Sequence, residues 1–302
     1  MPVNINSIVE LANARLQKLH HPIFMEKNVG FDILRLDTIH PVIAGNKFFK
    51  LKYSLEDTIL KHYKGIITSG GAWSNHLVAC AAACRALGLK SKAIIRGEKP
   101  AILSGSLRDV VNMGMELEFV SRAAFHSFNE SLQNDEHGDY YPVPMGGHSI
   151  EGIKGASEIM ELIPQQHYDI VCCSIGTGTM MAGLLKKANI PVMGFSALKT
   201  PDTVNNEIEI LMQNFSENRN YTIQYDFHFG GFGKTTPGLL QFMNDFHQTT
   251  GVPTDIVYTG KMMYGLVQLV QQGYFSEGTR ICAIHSGGLQ GNRSVKTGTL
   301  LF

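Results

Sequence analysis

The sequence predicts an α/β protein built on largely parallel sheets covered on both faces. Three observations carry that expectation. Short apolar runs alternate with helical segments from Gly65 onward. Strands joined through helices favour parallel sheets with helices on both sides. Glycine-rich turns directly follow three of the runs, at Ser69-Gly70-Gly71, Gly176-Thr177-Gly178 and Ser286-Gly287-Gly288. In open α/β sheets ligands collect at that edge.

Taken in order, Met1–His20 spaces Ile5, Ile8, Val9, Leu11, Ala12 and Leu16 as an amphipathic surface helix would, and it lacks the layout of a secretory leader. Gly30–Leu36 alternates and stops before His40-Pro41, which predicts a strand; Asn46–Leu60 has a helical pattern. The further strands are read at Gly65–Thr68, Lys92–Arg96, Leu117–Val120, Asp169–Ser174, Pro191–Ser196, Asp255–Tyr258 and Arg280–His285. Helices are read at Asn75–Leu87, Ser104–Met113, Ile150–Leu162, Thr179–Ala188, Thr235–Thr249 and Lys261–Gln271. The segment Ser121–Gly147, rich in His, Asn, Asp, Gly and Pro, reads as irregular and as a candidate crossing between two lobes. No internal repeat, low-complexity segment or flexible linker stands out.

Composition bounds the function. At 302 residues, 44% hydrophobic and 17% charged, the chain reads as a soluble globular protein with a filled core. Lys plus Arg and Asp plus Glu both total 26, and no basic run occurs, so nothing points to nucleic acid or an anionic membrane surface. No apolar run approaches the ~20 residues that span a bilayer. The five cysteines lack metal-ligand spacing and read as small buried hydrophobes in a reducing cytoplasm, with no metal expected.

Four motifs could carry chemistry. Gly45-Asn46-Lys47-Phe48-Phe49-Lys50 places an amine ahead of a helix, with Phe48 and Phe49 as apolar surroundings and a second cation one turn on. Burial and a cationic neighbour both favour the free amine, the nucleophilic form. Two solvated lysines on an amphipathic helix is the competing reading. In Gly70-Gly71-Ala72-Trp73-Ser74-Asn75-His76, Ser74 and Asn75 are either ordinary N-caps or, with His76, donors for a substrate carboxylate at a positive helix end. Ser174-Ile175-Gly176-Thr177-Gly178-Thr179 is either a tight turn or a phosphate cradle; it lacks the lysine and spacing of a P-loop and is not a full G-x-G-x-x-G. Near the C-terminus, Tyr258 is either half-buried and structural or a general acid/base, and Ser286 either shapes its turn or donates to a ring nitrogen.

Together these residues resemble the pyridoxal-phosphate enzymes of the tryptophan-synthase-β fold, and within them the branch of 1-aminocyclopropane-1-carboxylate deaminases and D-cysteine desulfhydrases. From about Pro41 to Gly288 the motifs keep the family's order. The resemblance implies α/β architecture with two open, largely parallel twisted sheets in two lobes (fold type II). It divides the chain into a large cofactor-binding domain, 1–45 and 155–302, and a small domain, 46–154. It implies pyridoxal 5′-phosphate as cofactor, held as a Schiff base on Lys47, with Lys50 beside it. Asn75 would lie against the ring, Gly176, Thr177, Gly178 and Thr179 would cradle the phosphate, and Ser286 would reach the pyridine nitrogen. Ser74 would handle the substrate proton or carboxylate and Tyr258 would be the active-site tyrosine. Substrate contacts would come from Ser74, Asn75, His76, Tyr258 and Phe232.

Several positions depart from the family pattern. Phe49 replaces an arginine, Phe232 a second active-site tyrosine, Met180 part of a Gly-Gly-Thr cradle, and His148-Ser149 a Ser-Asn pair. Thr259 and His76 stand where ring-opening deaminases carry Glu and Gln, which is closer to the desulfhydrase pattern. The resemblance thus implies a lyase or deaminase acting on a small amino acid, with α,β-elimination of D-cysteine to pyruvate, ammonia and sulfide as the leading reading. Cyclopropane ring opening to 2-oxobutyrate and ammonia is the alternative. The departures also motivate a non-catalytic cofactor-binding paralogue, and a nucleotide-dependent α/β enzyme is a weaker rival. A cytoplasmic homodimer is expected.

Overall fold

The computed structural model describes residues 4–133, 137–213 and 220–302. Its strands are β1 (Arg15–Lys18), β2 (Gly30–Arg35), β3 (Gly65–Gly70), β4 (Lys90–Arg96), β5 (Glu116–Val120), β6 (Tyr140–Val143), β7 (Ile170–Ile175), β8 (Val192–Ser196), β9 (Tyr221–Gln224) and β10 (Arg280–His285). Its helices are α1 (Pro22–Glu26), α2 (Asn46–Leu60), α3 (Asn75–Ala86), α4 (Gly105–Asn112), α5 (Arg122–Ser131), α6 (Ile150–Ser157), α7 (Thr179–Lys187), α8 (Pro201–Met212), α9 (Pro237–Thr250) and α10 (Thr259–Gln271).

The strands form two sheets. A six-stranded sheet runs β1-β2-β10-β7-β8-β9, parallel except for the antiparallel edge strand β1. A four-stranded sheet runs β5-β4-β3-β6 and is parallel throughout. β3 and β8 are buried along their whole length, as expected of strands with both faces covered.

Helix α2 begins where its sequence pattern begins. Gly45 takes φ +69°, and a Cβ there would overlap the carbonyl oxygen of Ser286. That carbonyl accepts the Asn46 N–H at 3.2 Å, so the helix start is tied to the turn after β10. Phe48, Leu51 and Leu55 form the inward stripe of α2; burying each contributes roughly 1.5–3 kcal/mol. On its other side α2 meets α6 backbone to backbone, because a Cβ on Gly155 would overlap the Phe49 carbonyl. α3 is buried around most of its circumference, between β3, α2 and α4, which explains its Ala- and Cys-rich composition. All five cysteines are buried and unpaired. No helix among the described residues is long and apolar enough to cross a membrane.

The structure corrects four expectations. The N-terminal segment is two short 3₁₀ turns, Ile5–Ile8 and Leu11–Asn13, followed by β1, because the backbone of Arg15–Lys18 pairs with β2. The segment read as irregular holds α5 and β6, whose buried faces are narrow: Phe125 and Leu132 on one, Tyr141–Val143 on the other. Helix Ile150–Leu162 is α-helical only to Ser157 and tightens to 3₁₀ from Glu158. Asp255–Tyr258 is a turn rather than a strand. The short or edge elements α1, α8 and β9 went unread.

Candidate active site

The carboxyl ends of β7 and β10, the start of α2, the Gly146 turn after β6 and the start of α10 meet around one cleft. It holds about 410 Å³ of space free of protein atoms, part of it open to solvent. Asn46, Lys47, Lys50, Gly146, Ser174–Gly178, Met180, Met181, Tyr258 and Ser286 line it.

Lys47 occupies the first turn of α2, and its amine donates to Asn46 Oδ1 at 2.8 Å. Burial lowers its pKa to about 8, against a smaller opposing pull from Asp255. About a tenth of the amine is therefore neutral at pH 7, far more than for an ordinary lysine, and able to attack an aldehyde. The ammonium also lies 5.7 Å from the centroid of the Tyr258 ring. Asn46 is itself fixed from behind, its amide directed at Met180 Sδ at 3.2 Å. Met180 thus packs under the residue that orients the lysine.

One turn on, Lys50 is buried and reaches Gly146 O at 3.2 Å and Thr177 Oγ1 at 3.3 Å. Burial, and then the charge of Lys47, hold its pKa well below the usual lysine range. Two amines share a cleft with no carboxylate in its lining, an arrangement suited to a bound anion. The turn Gly176–Thr179 supplies the other half of such a site. Gly178 takes φ +75°, Thr177 and Thr179 share a hydroxyl contact at 2.9 Å, and α7 starts immediately after. Thr179 is fully buried behind the lining. His148 supports the turn from below through Nδ1 to Thr177 O at 3.1 Å, with Glu207 at its other nitrogen.

Tyr258 forms the opposite wall, its phenol packed against Gly176 so closely that a Cβ there would sit 3.1 Å from the hydroxyl. Burial, and then Asp255, push its pKa upward, so it stays a neutral phenol. Its position depends on Asp255, a fully buried carboxylate that sequence reasoning passed over. Oδ1 accepts the N–H groups of Val257 (2.9 Å) and Tyr258 (2.8 Å); Oδ2 accepts the Thr259 N–H (2.9 Å) and hydroxyl (2.6 Å). The carboxylate therefore caps α10 from within the preceding turn. The readable signal was an Asp directly ahead of a helical pattern, masked by the apolar Ile256-Val257. Ser286 closes the cleft beside Ser174, the two hydroxyls 3.2 Å apart.

The remaining expected residues lie outside the lining. Ser74 caps α3, accepting the Leu77 N–H at 3.3 Å. Asn75 is buried, donates weakly to Gly288 O at 3.4 Å and leaves Oδ1 without a partner. His76 points inward: Nε2 contacts Thr68 Oγ1 at 2.9 Å, while Nδ1 is orphaned. Burial, then Lys47 and Lys50, lower its pKa to about 3, so the ring stays neutral. Phe232 stands beside the cleft, 55% exposed, its ring edge-on to Tyr258 with centroids 5.9 Å apart.

The departures from the family pattern are absorbed locally. Phe49 is buried edge-to-face against Phe48, and Ser149 caps α6 by accepting the Gly152 N–H at 3.1 Å. None of the substituted side chains places a carboxylate in the cleft. The donor set fits pyridoxal 5′-phosphate on the chain's own terms. It offers one amine for the aldehyde and a second amine with glycine and threonine groups for the phosphate.

Comparison with known proteins agrees. A family model described as pyridoxal-phosphate dependent enzyme matches residues 18–287. A provisionally named 1-aminocyclopropane-1-carboxylate deaminase of Pyrococcus furiosus is 30% identical over 88% of this chain and 88% of its own length. The mitochondrial bifunctional D-cysteine desulfhydrase/1-aminocyclopropane-1-carboxylate deaminase of Arabidopsis thaliana is 28% identical over 82% of this chain and 70% of its own. The crystal structure of an ACC deaminase homologue superposes with a TM-score of 0.76 at 27% identity, covering 97% of both chains.

Proposed function

We propose that this chain, which belongs to the family of pyridoxal-phosphate dependent enzymes, eliminates sulfide from D-cysteine. At the coarser level it is a lyase or deaminase of the group that holds 1-aminocyclopropane-1-carboxylate deaminases and D-cysteine desulfhydrases. The finer reading rests on one observation: Tyr258 is the phenol in the cleft wall, and its aromatic neighbour Phe232 has no proton to give.

Lys47 would hold the cofactor covalently, while Lys50, Thr177, Thr179 and the amides of Gly176–Thr179 would hold its phosphate. Ser286 and Asn75 would meet the ring. When bound, the cofactor supplies an electron sink for negative charge at the substrate α-carbon. The chain's own groups then divide the proton traffic. Ser74 or the freed Lys47 Nζ takes the α-proton, the Lys47 amine being suited by its pKa of about 8. The Asn75 and His76 N–H groups at the start of α3, with the Ser74 hydroxyl, would orient the substrate carboxylate. Tyr258 keeps its proton and can hydrogen-bond the departing thiolate. A neutral hydroxyl at Ser286 leaves the ring nitrogen without a strong acid, which favours elimination over transamination. The balance is D-cysteine plus water to pyruvate, ammonia and hydrogen sulfide.

Ring opening of 1-aminocyclopropane-1-carboxylate is the second reading, because relatives carry that name. The deciding measurement is the visible spectrum of the purified protein during titration with D-cysteine, with pyruvate and sulfide quantified. Equal amounts of both products are expected. A yellow protein that releases neither, yet converts the cyclopropane substrate, would transfer the assignment; one silent toward a panel of D- and L-amino acids and the cyclopropane would be a binder only.

A further inference from the structure

Lys261 has no place in the chemistry above, yet its side chain is only 2% exposed. It lies in the first turn of α10, three residues after Tyr258, and so on the same side of the helix start. Its ammonium donates to His228 O and Gly231 O, both at 2.8 Å. A buried ammonium is retained only where such acceptors and an opposite charge offset its lost hydration, and Asp255 supplies the charge.

What it grips is a turn with no strand or helix of its own. Phe229, Gly230, Gly231 and Gly233 all have positive φ, at 50°, 94°, 107° and 65°. Internal bonds close the turn: Gly230 N–H to His228 Nδ1 at 2.9 Å, Gly231 N–H to His228 O at 3.0 Å and Lys234 N–H to Gly231 O at 3.1 Å. Phe229 packs edge-on to Tyr264 of α10 at 4.8 Å. Phe232 then projects from the turn and meets the Tyr258 ring at 5.9 Å and 70°. A single helix start therefore carries both the cleft tyrosine and the cation that places its aromatic neighbour.

We propose that Lys261 is a positioning residue: by gripping the His228–Gly231 turn it seats Phe232 against Tyr258, and that aromatic pair narrows the cleft mouth to amino acids with short side chains. The inference rests on the cleft admitting an amino acid, as proposed above, but not on which one reacts.

The test uses the holoenzyme and compares Lys261→Met, Phe232→Ala and the double variant. Dissociation constants for alanine and phenylalanine, in both enantiomers, are read from the shift of the cofactor's visible band, and amide exchange is followed over residues 228–234. The unaltered enzyme should favour alanine by about tenfold or more, and each single variant should reduce that preference to within about threefold. The double variant should go no further than Phe232→Ala, because both changes act through one ring. Exchange over the turn should rise in Lys261→Met and not in Phe232→Ala. Full discrimination in Lys261→Met, or unchanged exchange there, would overturn the proposal. Loss of D-cysteine turnover with the alanine preference behaving as described would reject the elimination reading alone.

Should Lys261→Met fail to fold, the unaltered chain gives the same answer. Protection of the turn, corrected for intrinsic exchange, should fall as the pH passes about 8, to which burial lowers this ammonium. The charged and titratable groups around it are Asp255, the Tyr258 and Tyr264 phenols, the His228 ring, Lys199 packed on Gly231 and Lys234 packed on Gly230. Protection independent of pH would also overturn the proposal.

Discussion

Replacing Asp255 with Asn tests the claim that one buried carboxylate builds the tyrosine wall of the cleft. The shapes match, so the change is one of hydrogen-bonding sense and charge. If the amide keeps its oxygen toward Val257 and Tyr258, those two bonds survive without charge assistance. Its nitrogen then faces the Thr259 N–H across the former 2.9 Å bond, donor against donor. An unsatisfied buried N–H costs about 1–3 kcal/mol, and weakening two charge-assisted bonds adds roughly 1 kcal/mol. A total of about 2–4 kcal/mol corresponds to a fall of about 4–8 °C in the apparent unfolding midpoint for a chain of this size. The same variant removes the negative charge that raises the Lys47 and Lys261 pKa values, so both should move below about 8. Circular dichroism melts of apo and holo protein, together with the pH dependence of cofactor capture, measure both effects. An unfolding midpoint within a degree of the parent, or a Lys47 titration that does not move, would refute the reasoning.

Four other outcomes are expected. Cofactor capture by apo protein should speed up about tenfold per pH unit while the Lys47 ammonium predominates and level off above pH about 8, because only the neutral amine attacks; stopped-flow absorbance reads this, and a flat profile would contradict it. Lys50→Met should weaken cofactor binding about 10- to 100-fold, the worth of one charged hydrogen-bond set, with a smaller effect on phosphate-free pyridoxal; equal losses for the two ligands would argue against a phosphate contact. Phe232→Tyr should raise cyclopropane ring opening relative to D-cysteine elimination, measured as the ratio of 2-oxobutyrate to pyruvate formation; an unchanged ratio would remove Phe232 from the specificity argument. Gly45→Ala should destabilise the fold by about 3 kcal/mol or more and release cofactor, since the new methyl meets the Ser286 carbonyl at a positive φ; a normal melt would show that the α2 start tolerates displacement.

Long periodic elements were legible because their physics is local. Asn46–Leu60 was read to the residue, since its apolar stripe and its Gly-Asn start coincide with the helix the structure shows. The apolar runs read at Gly65–Thr68, Asp169–Ser174 and Arg280–His285 fall on the strands Gly65–Gly70, Ile170–Ile175 and Arg280–His285. Lys47, Lys50 and the Gly176–Gly178 turn could be singled out from residue type and placement, and they do meet in one cleft. What failed was decided by a strand partner or by side-chain bonds, neither of which apolar periodicity registers. β1 is a strand because β2 lies beside it, and its own side chains alternate too weakly to say so. Ile256-Val257 looks like a strand core but is held as a turn by the Asp255 carboxylate. His76 looked like a donor to substrate, yet its ring turns inward to Thr68.

The pairing of β2 with β10 has a consequence for biosynthesis. On the ribosome, β2 leaves the exit tunnel long before its neighbour exists, at typical elongation rates on the order of ten to fifty seconds earlier. The four-stranded sheet, whose strands all fall between Gly65 and Val143, can close meanwhile on the nascent chain. Gly45 meets the Ser286 carbonyl only once β10 has emerged, so the turn that ties the start of α2 into the vitamin B6 site forms after the small sheet, and a stop codon before β10 forfeits it.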